Sequence, residues 1–160
     1  MSVSSAYKLE EMRTESVMAT VAMPYEGGAN LLANVPPNLV QSIRAFRVAD
    51  LQSEAARSGQ HFLYAYCAEA MTKAQVLAII VRAFHFPRRV GKSLDGLGDC
   101  LTDLPYKAGP QPGFLVVLEQ LPNTAKFDKE ARETLLDVFR DAADYWAERK
   151  VAFRVFYSFQ

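Results

Sequence analysis

Residues 114–118, Phe-Leu-Val-Val-Leu, form an unbroken apolar run. A strand with one wet face alternates apolar and polar side chains. A run without a polar position is expected where both faces of a sheet are covered, and that is the habit of parallel strands joined by helices. The rest of the chain supplies the helices. Residues 43–48 alternate apolar side chains with Arg44 and Arg47 and read as a strand, and Asp50 can cap a short helix through Arg57 that Ser58-Gly59 ends. Residues 61–67 read as a second strand. Thr72 is placed to cap a helix over residues 73–84, with Val76, Ile79, Ile80, Val81 and Phe84 toward the core. A loop rich in Pro and Gly, residues 105–113, leads into the apolar run. Asp128 is placed to cap a long helix ending near Lys150, with Ala131, Leu135, Val138, Phe139, Ala142 and Trp146 as its apolar stripe, and residues 151–158 read as the last strand. Strands alternating with helices imply right-handed crossovers and a parallel sheet. The expected class is therefore α/β.

Half of the 160 residues are hydrophobic, enough for a sizeable core. Residues 1–41 read as a partly ordered leader, in which residues 16–23 could form a short strand, residues 26–30 a turn, and Pro36-Pro37 a break. Residues 42–160 read as the folded domain. Lys plus Arg and Asp plus Glu balance at 18 each, so no global field points to nucleic acid or to an anionic membrane. Any electrostatic function must come from local segregation of charge. Cys67 and Cys100 fall inside a strand and a helix and read as reduced core thiols, neither a disulfide framework nor a metal site. No apolar run approaches a membrane span, and no cationic start precedes an apolar segment, so the expected location is the cytoplasm.

The stretch that local stability explains least is residues 84–104. Pro87 and Gly91 end the preceding helix, and Ser93 stands where an N-cap belongs. Leu94, Leu97, Leu101 and Leu104, with Cys100, then fall on one side of a helix, and Asp95, Asp99 and Asp103 on the other. Like charges at this spacing destabilise a helix by roughly 0.2–0.5 kcal/mol per pair. Gly96 and Gly98 each cost about 1 kcal/mol relative to Ala. Two readings compete: a solvated acidic face whose glycines the tertiary fold tolerates, or a surface that a positively charged molecule approaches closely. Glu133, Asp137, Asp141, Asp144 and Glu148 recur at three- and four-residue steps and give the long helix a second acidic face.

Enzyme signals fail one by one. Gly91-Lys92-Ser93 has the ending of a phosphate-binding loop, but Phe86 stands where that loop needs glycine. Gly96-x-Gly98 lacks the third glycine of a dinucleotide fingerprint and lies inside a helix. Asp95 and Asp99 could form an acid/base pair, but such pairs need one carboxyl in a burying environment, which an exposed helix face does not offer. His61 and His85 are isolated and out of metal-ligand spacing with the cysteines. No cofactor and no metal are expected.

The order apolar-Pro-x-x-x-Gly-x-x-x-Asp-x-Leu-x-Asp-Cys-Leu-Thr-Asp-Leu resembles the barstar family, intracellular inhibitors of secreted bacterial ribonucleases. Here it is filled by Phe86, Pro87, Gly91, Asp95, Leu97, Asp99, Cys100, Leu101, Thr102, Asp103 and Leu104. The resemblance covers about residues 61–158. It implies a small parallel sheet of three core strands with helices packed on it, to which residues 43–57 add a fourth strand, at an edge, and a helix. It also implies an immunity protein that blocks the cationic active site of a nuclease with a preorganised acidic helix. By position, Asp95 and Asp99 match acidic contacts to the enzyme, Leu94 an apolar contact, and Asp141 an acidic contact on the later helix, with Asp in place of the family's Glu. Gly98 stands at a tryptophan of the family, and Arg89 and Val90 at two tyrosines. Together with Arg88 and Lys92, these departures point to a nuclease of different shape and rim charge. Gly98 and Arg89, with Asp103 of the acidic face, join the expected contact set. The expected partner is a secreted or toxin-type ribonuclease, without direct contact to nucleic acid or membrane. The alternatives are a non-inhibitory binding module on the same fold and a small α/β enzyme using Asp95 and Asp99.

Overall fold

The computed structural model describes residues 31–104 and 112–160. The elements lie in a compact unit spanning Pro36–Gln160. In order they are strand β1 (Asn38–Ser42), helix α1 (Val48–Ser58), strand β2 (His61–Tyr66), helix α2 (Lys73–Ala83), a 3-10 turn (Arg88–Lys92), helix α3 (Leu94–Leu101), strand β3 (Gly113–Leu121), helix α4 (Lys129–Glu148) and strand β4 (Ala152–Phe159). The four strands form one sheet in the order β1-β4-β3-β2, and every neighbouring pair is parallel.

The apolar run explains itself in this sheet. Strand β3 is central and alternates its side chains between two covered faces. Phe114, Val116 and Leu118 lie with Leu63, Ala65, Phe153 and Val155 in a core that α2, α3 and α4 close. Leu115 and Val117 take the opposite face with Phe156, beneath Leu51 and Ala55 of α1. Each fully buried side chain of this size contributes about 1.5–3 kcal/mol. Two helix caps form where expected: Thr72 Oγ1 accepts from the Gln75 N–H at 3.2 Å, and Asp128 Oδ1 accepts from the Ala131 N–H at 2.9 Å.

Three expectations need correction. The added strand is Asn38–Ser42 and not residues 43–48, although its place at a sheet edge is as expected. The ladder to β4 ends with Ile43 N–H donating to Tyr157 O at 2.8 Å, and Arg44 then adopts a φ of 47°, which turns the chain. The apolar alternation over residues 43–48 has another cause, since Phe46 packs its ring against Phe156 at 5.2 Å from a loop. The sheet therefore begins inside the segment read as leader. Second, α1 starts at Val48 behind Arg47, without a side-chain cap, and Asp50 lies in its first turn. Third, Cys67 is buried but Cys100 is only half-buried, and neither is in a disulfide. Burial pushes the Cys67 thiol up to about 12. Residues 16–23 and 26–30 and most of the loop before β3 lie outside the described residues. Among the described residues, no helix is long and apolar enough to cross a membrane.

Candidate binding face

Helix α3 is short, and three devices hold it. Ser93 Oγ accepts from the Gly96 N–H at 3.1 Å, which caps the first turn. Leu97 and Leu101 are fully buried beneath it. At its other end, the buried indole of Trp146 on α4 donates from Nε1 to the Leu101 carbonyl at 3.1 Å. That bond satisfies a carbonyl that the helix end leaves without an intrahelical donor. The Thr102 hydroxyl lies within reach of the carbonyls of Gly98 and Asp99, at 3.3 and 3.1 Å. The carboxylates of this helix thus stand on a rigid support.

Between α3 and α4 runs an open cleft of about 400 Å³. Asp95 and Asp99 line it from α3 and Asp141 from α4, so carboxylates from two helices meet around one depression. Its apolar surface comes from Leu94, Val138, Ala142 and Tyr145, with Gly98 between the acids. Among the described residues, Asp95, Asp99 and Asp141 make no ion pair. The second acidic face seen in the sequence is divided by the fold. Glu133 and Asp137 are taken by Arg140, at 3.2 and 2.7 Å, while Asp141 turns into the cleft.

The two glycines separate as well. A Cβ on Gly96 would lie 3.0 Å from the Val90 carbonyl oxygen and 3.1 Å from the Val90 Cβ. Gly96 thus suits the close approach of the 3-10 turn to α3, where a side chain would press on the Val90 backbone. Among the described residues, a Cβ on Gly98 would meet only Val138 Cγ1, at an ordinary 3.6 Å. No described neighbour demands a glycine there, and its absent side chain leaves the cleft open.

Of the expected contact residues, Leu94, Asp95, Gly98, Asp99 and Asp141 are brought together. Asp103 and Arg89 are not. Asp103 is exposed beyond the end of α3, and Arg89 is exposed in the 3-10 turn, where it lines a different groove. Val138, read from the sequence as part of the apolar stripe of α4, is only partly buried and lines the cleft, as does Tyr145, which the sequence reading did not assign. Tyr145 lies one helical turn after Asp141, and that spacing was the available signal. The Arg149 guanidinium stacks on the Tyr145 ring at 3.5 Å, which places a cation at this end of the cleft.

No curated protein and no solved structure matched the chain. The parallel sheet, the capped acidic helix and its junction with α4 lie within residues 60–158, which match the family described as Barstar (barnase inhibitor), and the chain belongs to that family.

Proposed function

We propose that this protein is an immunity protein, acting in the cytoplasm, that inhibits a cognate toxin-type ribonuclease by occupying its active site with the α3–α4 cleft. Members of the family are inhibitors rather than enzymes, and their partner is a ribonuclease. The observation that carries the reading is the convergence of Asp95, Asp99 and Asp141 around an apolar depression on a rigid support. A ribonuclease binds phosphates with cationic groups. Carboxylates held at fixed spacing can replace those phosphates with little loss of side-chain entropy. A nuclease side chain can also enter the space over Gly98, where the family carries a tryptophan.

The test begins with co-purification of a partner on the tagged chain and an RNA-cleavage assay of what is captured. The captured protein should cleave RNA and should be silenced by the chain at equal stoichiometry. Asp99→Ala removes one member of a charge pair desolvated in the complex, which costs about 2–5 kcal/mol of binding, mainly as faster dissociation. Asp137→Ala removes a carboxylate already held by Arg140 and outside the cleft, and it should inhibit as the wild type does. Equal inhibition by the two variants would exclude the cleft as the inhibitory surface. The altered positions Gly98, Arg89 and Val90 would then favour a non-inhibitory binding module.

A further inference from the structure

The chain carries a second charged depression, opposite in sign to the first. A groove of about 720 Å³ lies between α2 and the 3-10 turn. Arg82, Arg88, Arg89 and Lys92 surround it, all exposed, with His85 at its edge. Among the described residues no carboxylate lines it, and Val81 and Phe86 give it an apolar floor. Among the described residues none of these four cations makes an ion pair. A cation in the last turn of α2 is favoured by the helix dipole, and that accounts for Arg82. It does not account for Arg88, Arg89 and Lys92, which lie beyond the helix and add like charge to one small surface in a chain of zero net charge. The groove is also held in shape. His85 turns the chain with a φ of 60°, and the next N–H, of Phe86, donates back to the Val81 carbonyl at 2.9 Å.

We infer that this groove is a docking site for a carboxylate-bearing segment of a partner protein. Guanidinium groups recognise carboxylates through paired hydrogen bonds, and the apolar floor suits a side chain set between the acids of such a segment. A nucleic acid fits less well. Phe86 is buried and offers no ring face for stacking. Asp95 and Asp99 follow within two helical turns of Lys92 and repel a phosphate chain running on from the groove. The inference rests on the groove and stands whether or not the α3–α4 cleft is inhibitory. If one partner covers both surfaces, it carries an acidic rim beside its cationic site.

The probe is a short peptide alternating glutamate with leucine, titrated at low salt into the full-length chain and followed through backbone amide resonances. Shifts should centre on residues 85–92. The double variant Arg88→Glu/Arg89→Glu, at exposed positions, should keep the wild-type spectrum elsewhere and weaken binding about tenfold or more, as loss of a charge-assisted bond does. Lys92→Gln should weaken it less. Asp99→Ala should bind the peptide at least as well as the wild type, so a failed inhibition test and a failed peptide test are distinct results. Absence of shifts, or shifts centred outside the groove, would overturn the inference. So would tighter binding of oligouridylate, which would make the occupant a nucleic acid. Self-association abolished by the double variant would assign the groove to a second copy and overturn it equally.

Discussion

Gly96 and Gly98 are two residues apart on one helix, carry the same intrinsic penalty and have opposite reasons to exist. Gly98→Ala adds a methyl group at an ordinary contact distance from Val138 and removes backbone entropy from the unfolded chain. It should stabilise the free protein by about 1 kcal/mol or less. Gly96→Ala drives a methyl group against the Val90 carbonyl at 3.0 Å, a backbone atom that cannot rotate away. That overpacking should cost about 1–3 kcal/mol. Urea denaturation of both variants checks the pair, and destabilisation by Gly98→Ala would show that α3 itself needs the glycine. The family resemblance singles out Gly98, but local chemistry in the sequence could not say that Gly96 serves the fold. Locally both read as small residues beside acids, and the position of Val90 tells them apart.

At the scale of elements, α3 depends on its neighbour more than on its own propensity. Its three turns or fewer, its glycines and its like charges leave it marginal alone. Burial of Leu97 and Leu101 and the bond from Trp146 supply what it lacks. Trp146→Phe keeps an aromatic ring near Phe114 but removes the donor to Leu101. The variant should lose about 1–3 kcal/mol, the usual cost of a buried polar group left without its partner. Amide exchange should accelerate in α3 more than in β3, and uniform acceleration across both would mean that the bond has no local role. The caps at Thr72, Ser93 and Asp128 were legible because capping is local chemistry: a hydroxyl or carboxylate, then a free N–H within three residues. Strand β3 was legible because burial on both faces leaves a continuous apolar run. Strand β1 was not. Its residues, Asn38 to Ser42, are half-buried throughout, and their pairing with β4 is recorded only in three dimensions. The cleft was half legible: the family motif marks Asp95 and Asp99 and the wider resemblance marks Asp141, but only packing shows that α4 adds Val138 and Tyr145 and withdraws Asp137.

For the molecule as a whole, the question is where the cooperative unit begins. Strand β1 runs parallel to β4 at the edge of the sheet, and its first residue does more than extend a ladder. The Asn38 side-chain amide donates to the carbonyls of Ala143 and Val151, at 3.0 and 2.9 Å, so it bridges α4 to the turn before β4. Pro37 O accepts from the Phe153 N–H at 2.9 Å, and Pro36 O from the Arg154 guanidinium at 3.0 Å. A chain beginning at Pro36 keeps all of these bonds, whereas one beginning at Ile43 loses β1 with the Pro36 and Pro37 carbonyls and leaves the Val151 carbonyl, the Phe153 N–H and one edge of β4 to water. The first should unfold in a single cooperative step with the midpoint of the full-length protein. The second should unfold at lower denaturant and expose a parallel edge open to pairing between molecules. Equilibrium denaturation with light scattering on both truncations tests this. Equal midpoints for the two would show that β1 lies outside the cooperative unit, while loss of folding in the chain from Pro36 would place residues before it inside.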